Sequence, residues 1–348
     1  MKKYFFIAII IFTWADCLKA QTVLNANGPG KTYELISSVL APGYFPIETP
    51  DCSHVEFGRH IDEIWDSTLN AYVFRFFIHV TPDNDRCINF DRQRNEIKVY
   101  DRSPDKLKAF LGDSIVYSWE FKLDSSFQPS TGFTHIHQLK AVGGNDKLPL
   151  ITFTPRKGST DKLQIRYADS TSIRTLTSVN LSLFKGCWVA VSEHVLFAEK
   201  GAYEVTFFRV SDSTIIFHYK NSNIKMWRKN ANFIRPKWGI YRSLLDQKDL
   251  RDEKVLFNTF EIEKVGINAV LLNPYNEQVV FFPNPTNDKI FIQKGVHLSK
   301  IMDLMGKPIY FHNSQNHSMV DISKFPKGIY ILEFNKENKI LTRKLIIK

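Results

Sequence analysis

The chain has 348 residues, too many for one small domain and about right for one large plus one small. It is 43% hydrophobic and 24% charged, which excludes a disordered chain, and its 14% aromatic content leans toward strands. The formal charge of +10 invites a nucleic-acid partner, but residues 1–20 carry a net +2 and residues 278–348 a net +6, leaving the 257-residue body nearly balanced, so net charge lends a nucleic-acid face no support.

In chain order, Lys2 and Lys3 precede Tyr4–Trp14, an apolar run of eleven residues, too short to span a bilayer. Ala20 then stands before Gln21-Thr22. This pattern predicts a secretory signal peptide over residues 1–20, cleaved after Ala20. Cys17 raises a lipoprotein alternative, for which Trp14-Ala15-Asp16 is a poor lipobox. No later segment approaches the roughly 18 apolar residues of a span, so a soluble mature chain is expected. Of the remaining cysteines, Cys52 and Cys87 are expected to pair, and Cys187, beside Trp188, to be a buried thiol in a strand. No CxxC and no zinc-ligand spacing occurs, so no metal site is expected.

Residues 21–265 read as one all-β domain. Tyr117–Asp124 alternates apolar and polar at every position, the mark of a half-buried antiparallel strand. Further strands are expected at Ala71–Val80, Thr134–Ala141, Leu150–Thr154, Leu163–Tyr167, Cys187–Phe197, Tyr203–Val210, Thr214–Tyr219, Trp238–Ser243 and Val255–Ile262. Turn chemistry at Gly143–Asp146, Pro155–Gly158 and Ser211–Ser213 separates them. Helices are expected at Pro104–Leu111, capped by Ser103, and at Leu244–Leu250. Ten or more strands in this length point to a two-sheet, concanavalin A-like jelly-roll sandwich.

Three segments place ionisable residues where packing does not ask for them. Arg94, Glu96 and Lys98 alternate and share a strand face, either a solvated exterior or the floor of a site for an anionic ligand. His135 and His137, at i and i+2, are expected on one face, serving metal binding, acid–base chemistry or a structural pair. Lys237, Gly239 and Tyr241 share a third face, with Gly239 keeping space open, or else form a late strand with an exposed Lys and a packed Tyr. A cupin metal site would need a carboxylate soon after His137, where Gln138, Leu139 and Lys140 stand instead. No Glu-x-Asp-x-x-Glu run supplies the paired carboxylates of a sandwich glycosidase, and no phosphate loop or nucleophile elbow is present.

Toward the end of the chain, residues 266–277 read as a linker. Pro283-Asn284-Pro285, Asp303-Leu304-Met305-Gly306-Lys307, Asp321-Ile322-Ser323 and Pro326-Lys327-Gly328-Ile329-Tyr330 follow in order. Residues 278–348 thereby resemble the C-terminal sorting domain of the type IX secretion system of Bacteroidota. The resemblance implies a small immunoglobulin-like β-sandwich that engages the secretion machinery, with the protein reaching the cell surface or medium.

In the body, Arg94-Asn95-Glu96, His135-Ile136-His137 and Lys237-Trp238-Gly239-Ile240-Tyr241, in that order, resemble the Arg-x-Glu, Gln-x-His and Lys-Ala-Gly-x-Tyr strands of the β-jelly-roll polysaccharide lyases that act on alginate, glucuronan and heparin-type chains. His135 stands where that family usually has Gln. The resemblance implies β-elimination on a uronic-acid polysaccharide, with Arg94 and His135 neutralising the uronate carboxylate, His137 and Tyr241 as base and acid, and Lys237, Glu96, Lys98, Gln138 and Trp238 holding substrate. It implies a monomer with no cofactor, and leaves structural calcium, the polymer, and endo or exo mode open. From a different class, a lectin-like glycan-binding module of the same fold is the competing reading.

Overall fold

A computed structural model describes residues 21–169, 172–265, 281–282, 284, 286–292, 296–303, 306–311, 319–336 and 339–347. The expected signal peptide and the expected linker lie outside the described residues.

The first part of the chain runs through β1 (Gln21–Leu24), α1 (Thr32–Leu40), β2 (Ile47–Glu48), β3 (Ile61–Asp66), β4 (Ala71–Ile78), β5 (Arg92–Lys98), β6 (Ser114–Leu123) and β7 (Thr134–Val142). It continues through β8 (Ile151–Arg156), β9 (Lys162–Ala168), β10 (Ile173–Asn180), β11 (Val189–Leu196), β12 (Gly201–Arg209), β13 (Ile215–Ile224), β14 (Phe233–Ser243) and β15 (Glu253–Val265). These strands form two antiparallel sheets. The first, of eight strands, runs β13-β12-β11-β6-β15-β4-β3, with β1 also pairing β15. The second, of seven, runs β10-β9-β8-β7-β14-β5-β2. This is the two-sheet jelly-roll sandwich that the alternating pattern predicts.

The core lies between the sheets. Tyr117, Trp119, Phe121 and Leu123 of β6 all point inward, as their alternation requires, and meet Phe153, Phe207, Phe257 and Trp238. The expected helices at Pro104–Leu111 and Leu244–Leu250 shrink to single 3-10 turns, Asp105–Leu107 and Gln247–Asp249. Ala109 is drawn instead into a bridge with Ile234. Helix α1 carried no expectation, yet its Tyr33, Ile36 and Leu40 bury one face at i, i+3 and i+7. Cys52 and Cys87 are disulfide-bonded, as expected. Cys187 departs from expectation: it precedes β11, is partly exposed, and contacts a carbonyl of the turn before it.

Beyond the body, β16 (Phe281–Phe282), β17 (Lys289–Ile292) and β20 (Met319–Asp321) form one small antiparallel sheet. A second is built from β18 (His297–Met302), β19 (Pro308–Phe311), β21 (Gly328–Lys336) and β22 (Lys339–Ile347). They share an apolar cluster of their own that includes Ile290, Ile301, Leu332, Phe334 and Leu345.

Candidate active site

The candidate site lies on the face of the seven-stranded sheet turned away from the core. Strand registers align Arg166, Thr152, Gln138, Lys237 and Lys98 in one row across β9, β8, β7, β14 and β5. Tyr241 pairs with Arg94 on one side and His135 on the other. Gly239 makes this alignment possible. Its φ is +142°, and a Cβ there would lie 2.1 Å from the Asn95 carbonyl oxygen.

Beside Gly239 the β7–β14 register slips, between Trp238 and Tyr241. The slip breaks the alternation of β7 and corrects the expectation that His135 and His137 share a face. His137 is fully buried between the sheets. Its Nε2 lies 2.9 Å from Glu193 of β11, in the opposite sheet, and its ring packs on Trp119 and Phe153. It therefore has no route to a polysaccharide. Trp238 is equally buried, against Tyr117, His137 and Phe260, and offers no stacking platform.

His135 takes the outer face. Its Nδ1 lies 2.6 Å from the Thr154 hydroxyl, and its ring stacks on Phe133 and stands 5.9 Å from the Tyr241 ring. The same hydroxyl lies 3.2 Å from Thr152 Oγ1. Burial, opposed by Glu96 and reinforced by Arg156, Arg94 and Arg166, pushes this imidazole down to about 3, so it is neutral.

Tyr241 is half-buried. Its hydroxyl accepts a hydrogen bond from Arg92 at 3.0 Å, and the Arg94 guanidinium lies 3.6 Å from its ring centre. Arg94 is held by Asp85 at 2.9 Å and by Glu96. Under these groups lies a buried ion network. Lys237 bridges Glu48 and Glu96 at 2.6 Å each, Lys98 reaches Glu48 at 2.7 Å, and Gln138 donates to Glu96. Burial would raise Glu48, but Lys237, Arg94, Lys98 and Arg86 hold it well below the usual carboxylate range. Burial pushes Lys237 down to about 8 against the pull of Glu96 and Glu48. Lys237, Glu96 and Gln138 are each at most 3% exposed. They are supports beneath the site rather than the substrate contacts expected of them. Lys98, partly exposed, stands at one end of the row.

Sequence reading missed the cations that surround this centre. Arg156, Arg166, Lys140 and Arg235 are all partly exposed on the strands that flank His135 and Tyr241. Burial and like-charge neighbours hold all but Arg166 below their usual range, Arg156 feeling Arg166, and Lys140 feeling Arg235 and Arg94. For Arg166 burial alone does so. The Nε atoms of Arg156, Arg166 and Arg235 are buried without a hydrogen-bond partner. Alternation in β8 and β9 could have flagged Arg156 with Thr154, and Arg166 with Gln164. Convergence on β7 depends on strand order, which no local pattern carries.

Residues 280–348 match the family model described as "Secretion system C-terminal sorting domain". The match marks the protein for secretion or the cell surface, and among the described residues no helix is long and apolar enough to cross a membrane. No curated protein matches the chain in sequence. Among solved structures, the chain is similar to an endo-β-1,4-glucuronan lyase from the fungus Trichoderma reesei, at 15% identity and a TM-score of 0.43, over 59% of this chain and 87% of that one. It is similar to the alginate lyase Aly36B at 11% identity and a TM-score of 0.47, over 70% and 97%. An alginate lyase from Pseudomonas aeruginosa is similar at 16% identity and a TM-score of 0.39, over 58% and 86%.

Proposed function

We propose that the protein is an exported polysaccharide lyase that cleaves a uronic-acid polymer by β-elimination. The observation that carries this reading is the pairing of Tyr241 and neutral His135 on an open sheet face flanked by guanidiniums whose buried Nε atoms have no hydrogen-bond partner. Such a face suits a repeating anion, because a uronate carboxylate can accept from Nε–H groups that are otherwise without a partner.

The reaction removes the proton on C5 of a uronate, forms the C4–C5 double bond and breaks the bond from C4 to its glycosidic oxygen. The C5 proton becomes acidic enough when the adjacent carboxylate is neutralised and the enolate-like charge is met by fixed donors. His135 and the guanidiniums of Arg94 and Arg156 serve that role. A neutral imidazole donates here as the side-chain amide of the resembled family would.

With His137 sequestered in the core, proton transfer falls to Tyr241. Its oxygen, having released its own proton to water, takes the C5 proton and returns it to the departing oxygen on the same side of the sugar ring. Arg92 donates to that oxygen throughout and offsets the charge that forms on it.

The test is incubation with a panel of polyuronates, read by ultraviolet absorbance of the unsaturated product. Release of that product by the native protein and its loss in Tyr241→Phe support the reading. Binding of the same polymers without product would leave a glycan-binding module instead.

A further inference from the structure

We infer that His54, His60, His79 and Asp83 form a metal site of the tetrahedral zinc class, on the reverse side of the strand that carries Arg94. Two separate segments supply these residues: the loop before β3 gives His54 and His60, and the loop after β4 gives His79 and Asp83. One ligand atom from each lies within 4.8 Å of the others. Asp83 sits at the centre. Its Oδ1 is 2.9 Å from His54 Nδ1 and 3.2 Å from His60 Nε2, and its Oδ2 is 3.1 Å from His79 Nδ1. Neighbouring ligands around tetrahedral zinc stand roughly 3.3 Å apart, given bonds of about 2.0–2.1 Å. The three Asp83–imidazole contacts already fall near that spacing, and all four ligand atoms lie within 4.8 Å of one another.

Three further observations point the same way. First, the His60 Nδ1 lies 2.8 Å from the Asp51 carboxylate, which turns Nε2 toward Asp83. A carboxylate behind a ligating imidazole is the usual way such a ligand is oriented and made more basic. Second, the three imidazoles crowd together, with ring centres 4.8 to 5.4 Å apart. Third, the site is closed. The side chains of His60 and Asp83 are fully buried, those of His54 and His79 are 21% and 17% exposed, and Phe57 packs on all three rings. Three imidazoles and one carboxylate select a zinc-like transition ion over calcium, which takes oxygen ligands.

The site would fix the strand behind the groove. Gln93 donates to the Asp83 carbonyl at 2.9 Å and Asn95 to the His60 carbonyl at 2.8 Å, both from the inward face of β5. The outward face of the same strand carries Arg94 and Glu96. Asp85, two residues beyond Asp83, holds Arg94, and the Cys52–Cys87 disulfide ties together the same two loops. A bound ion would lock the loop that positions Arg94, whatever reaction the groove performs.

The test uses the full chain and needs no substrate. Metal content is measured after dialysis against a weak chelator, and cobalt(II) is then added to the stripped protein. One equivalent of zinc per chain, visible absorption bands of tetrahedral cobalt, and a melting temperature that falls on stripping and recovers with zinc but not calcium are expected. His79→Gln should abolish stoichiometric retention, and Asp51→Asn should weaken affinity roughly 10- to 100-fold. If either variant fails to fold, the cobalt spectrum of the unaltered protein decides. Absence of tetrahedral bands, or zinc affinity equal in the native chain and folded His79→Gln, would overturn the site and leave a hydrogen-bonded imidazole–carboxylate cluster.

Discussion

The Arg94 guanidinium stands 3.6 Å above the centre of the Tyr241 ring, while Arg92 donates to the hydroxyl of the same residue. One guanidinium holds the ring and the other holds the oxygen, so the phenol has little freedom to turn. Arg94 is itself fixed by Asp85 and Glu96, and Glu96 by Lys237 and Gln138. Orientation of the reacting oxygen therefore depends on a chain of buried charges.

Tyr241→Phe removes that oxygen and keeps the ring under Arg94. Turnover on a cleavable polyuronate should fall on the order of 100-fold or more. Stability should drop by about 1 kcal/mol, for the lost bond from Arg92. Steady-state kinetics and denaturant melts check both, and near-native turnover would reject the role of Tyr241.

Arg94→Lys keeps the charge and loses the planar fork. Because Arg94 contacts Asp85, Glu96 and the Tyr241 ring at once, a lysine cannot replace it. Both kcat and polymer affinity should fall. An unchanged kcat would mean that the positioning of Tyr241 does not depend on Arg94.

His135 carries a pH signature of defined sign. Its folded pKa is pushed down to about 3 by burial and by Arg156, Arg94 and Arg166, against Glu96, whereas an unfolded histidine titrates near ~6.5. Below ~6.5 the unfolded chain binds a proton that the folded chain refuses. Its contribution to stability is therefore full above that pH and drains away as pH falls toward 3. The His135→Gln variant should lose less stability than the native chain between pH 7 and 4. Parallel melting curves over that range would contradict the assignment.

The groove cations predict a salt-dependent affinity. Arg166→Gln and Lys140→Gln should each weaken binding of a polyuronate roughly fivefold or more. Raising ionic strength should erase most of the difference, since screening shortens from about 10 Å at 0.1 M to about 3 Å at 1 M. Titration calorimetry at two salt concentrations measures it. Equal affinities for native and variant chains at low salt would remove these residues from the binding face.

Gly239→Ala places a methyl group 2.1 Å from the Asn95 carbonyl at a φ of +142°. The backbone must shift, at a cost of more than about 2 kcal/mol. Loss of activity should accompany it, because the same shift moves Tyr241 away from Arg94. A melt within error of the native protein would show that the β5–β14 contact can relax.

Much of this protein could be read from local pattern. Alternation at Tyr117–Asp124 sets one side of a sheet against the core, and that requires only that adjacent residues on a strand point opposite ways. The same rule placed Arg94 and Tyr241 on outward faces. It failed for the histidines, because beside Gly239 three steps of β14 oppose two of β7, which reverses the parity of β7 and sends His137 inward to Glu193. A bulge is a property of two paired strands, so the sequence of either one alone does not place it. The cluster at 54, 60, 79 and 83 escaped for a related reason: its residues sit on two loops with no motif spacing, and only the meeting of those loops behind β5 assembles them. Sequence determined which residue types were available and which strands could form. Strand order, register and the closure of loops decided which side chains meet, since those depend on pairings between segments far apart in the chain.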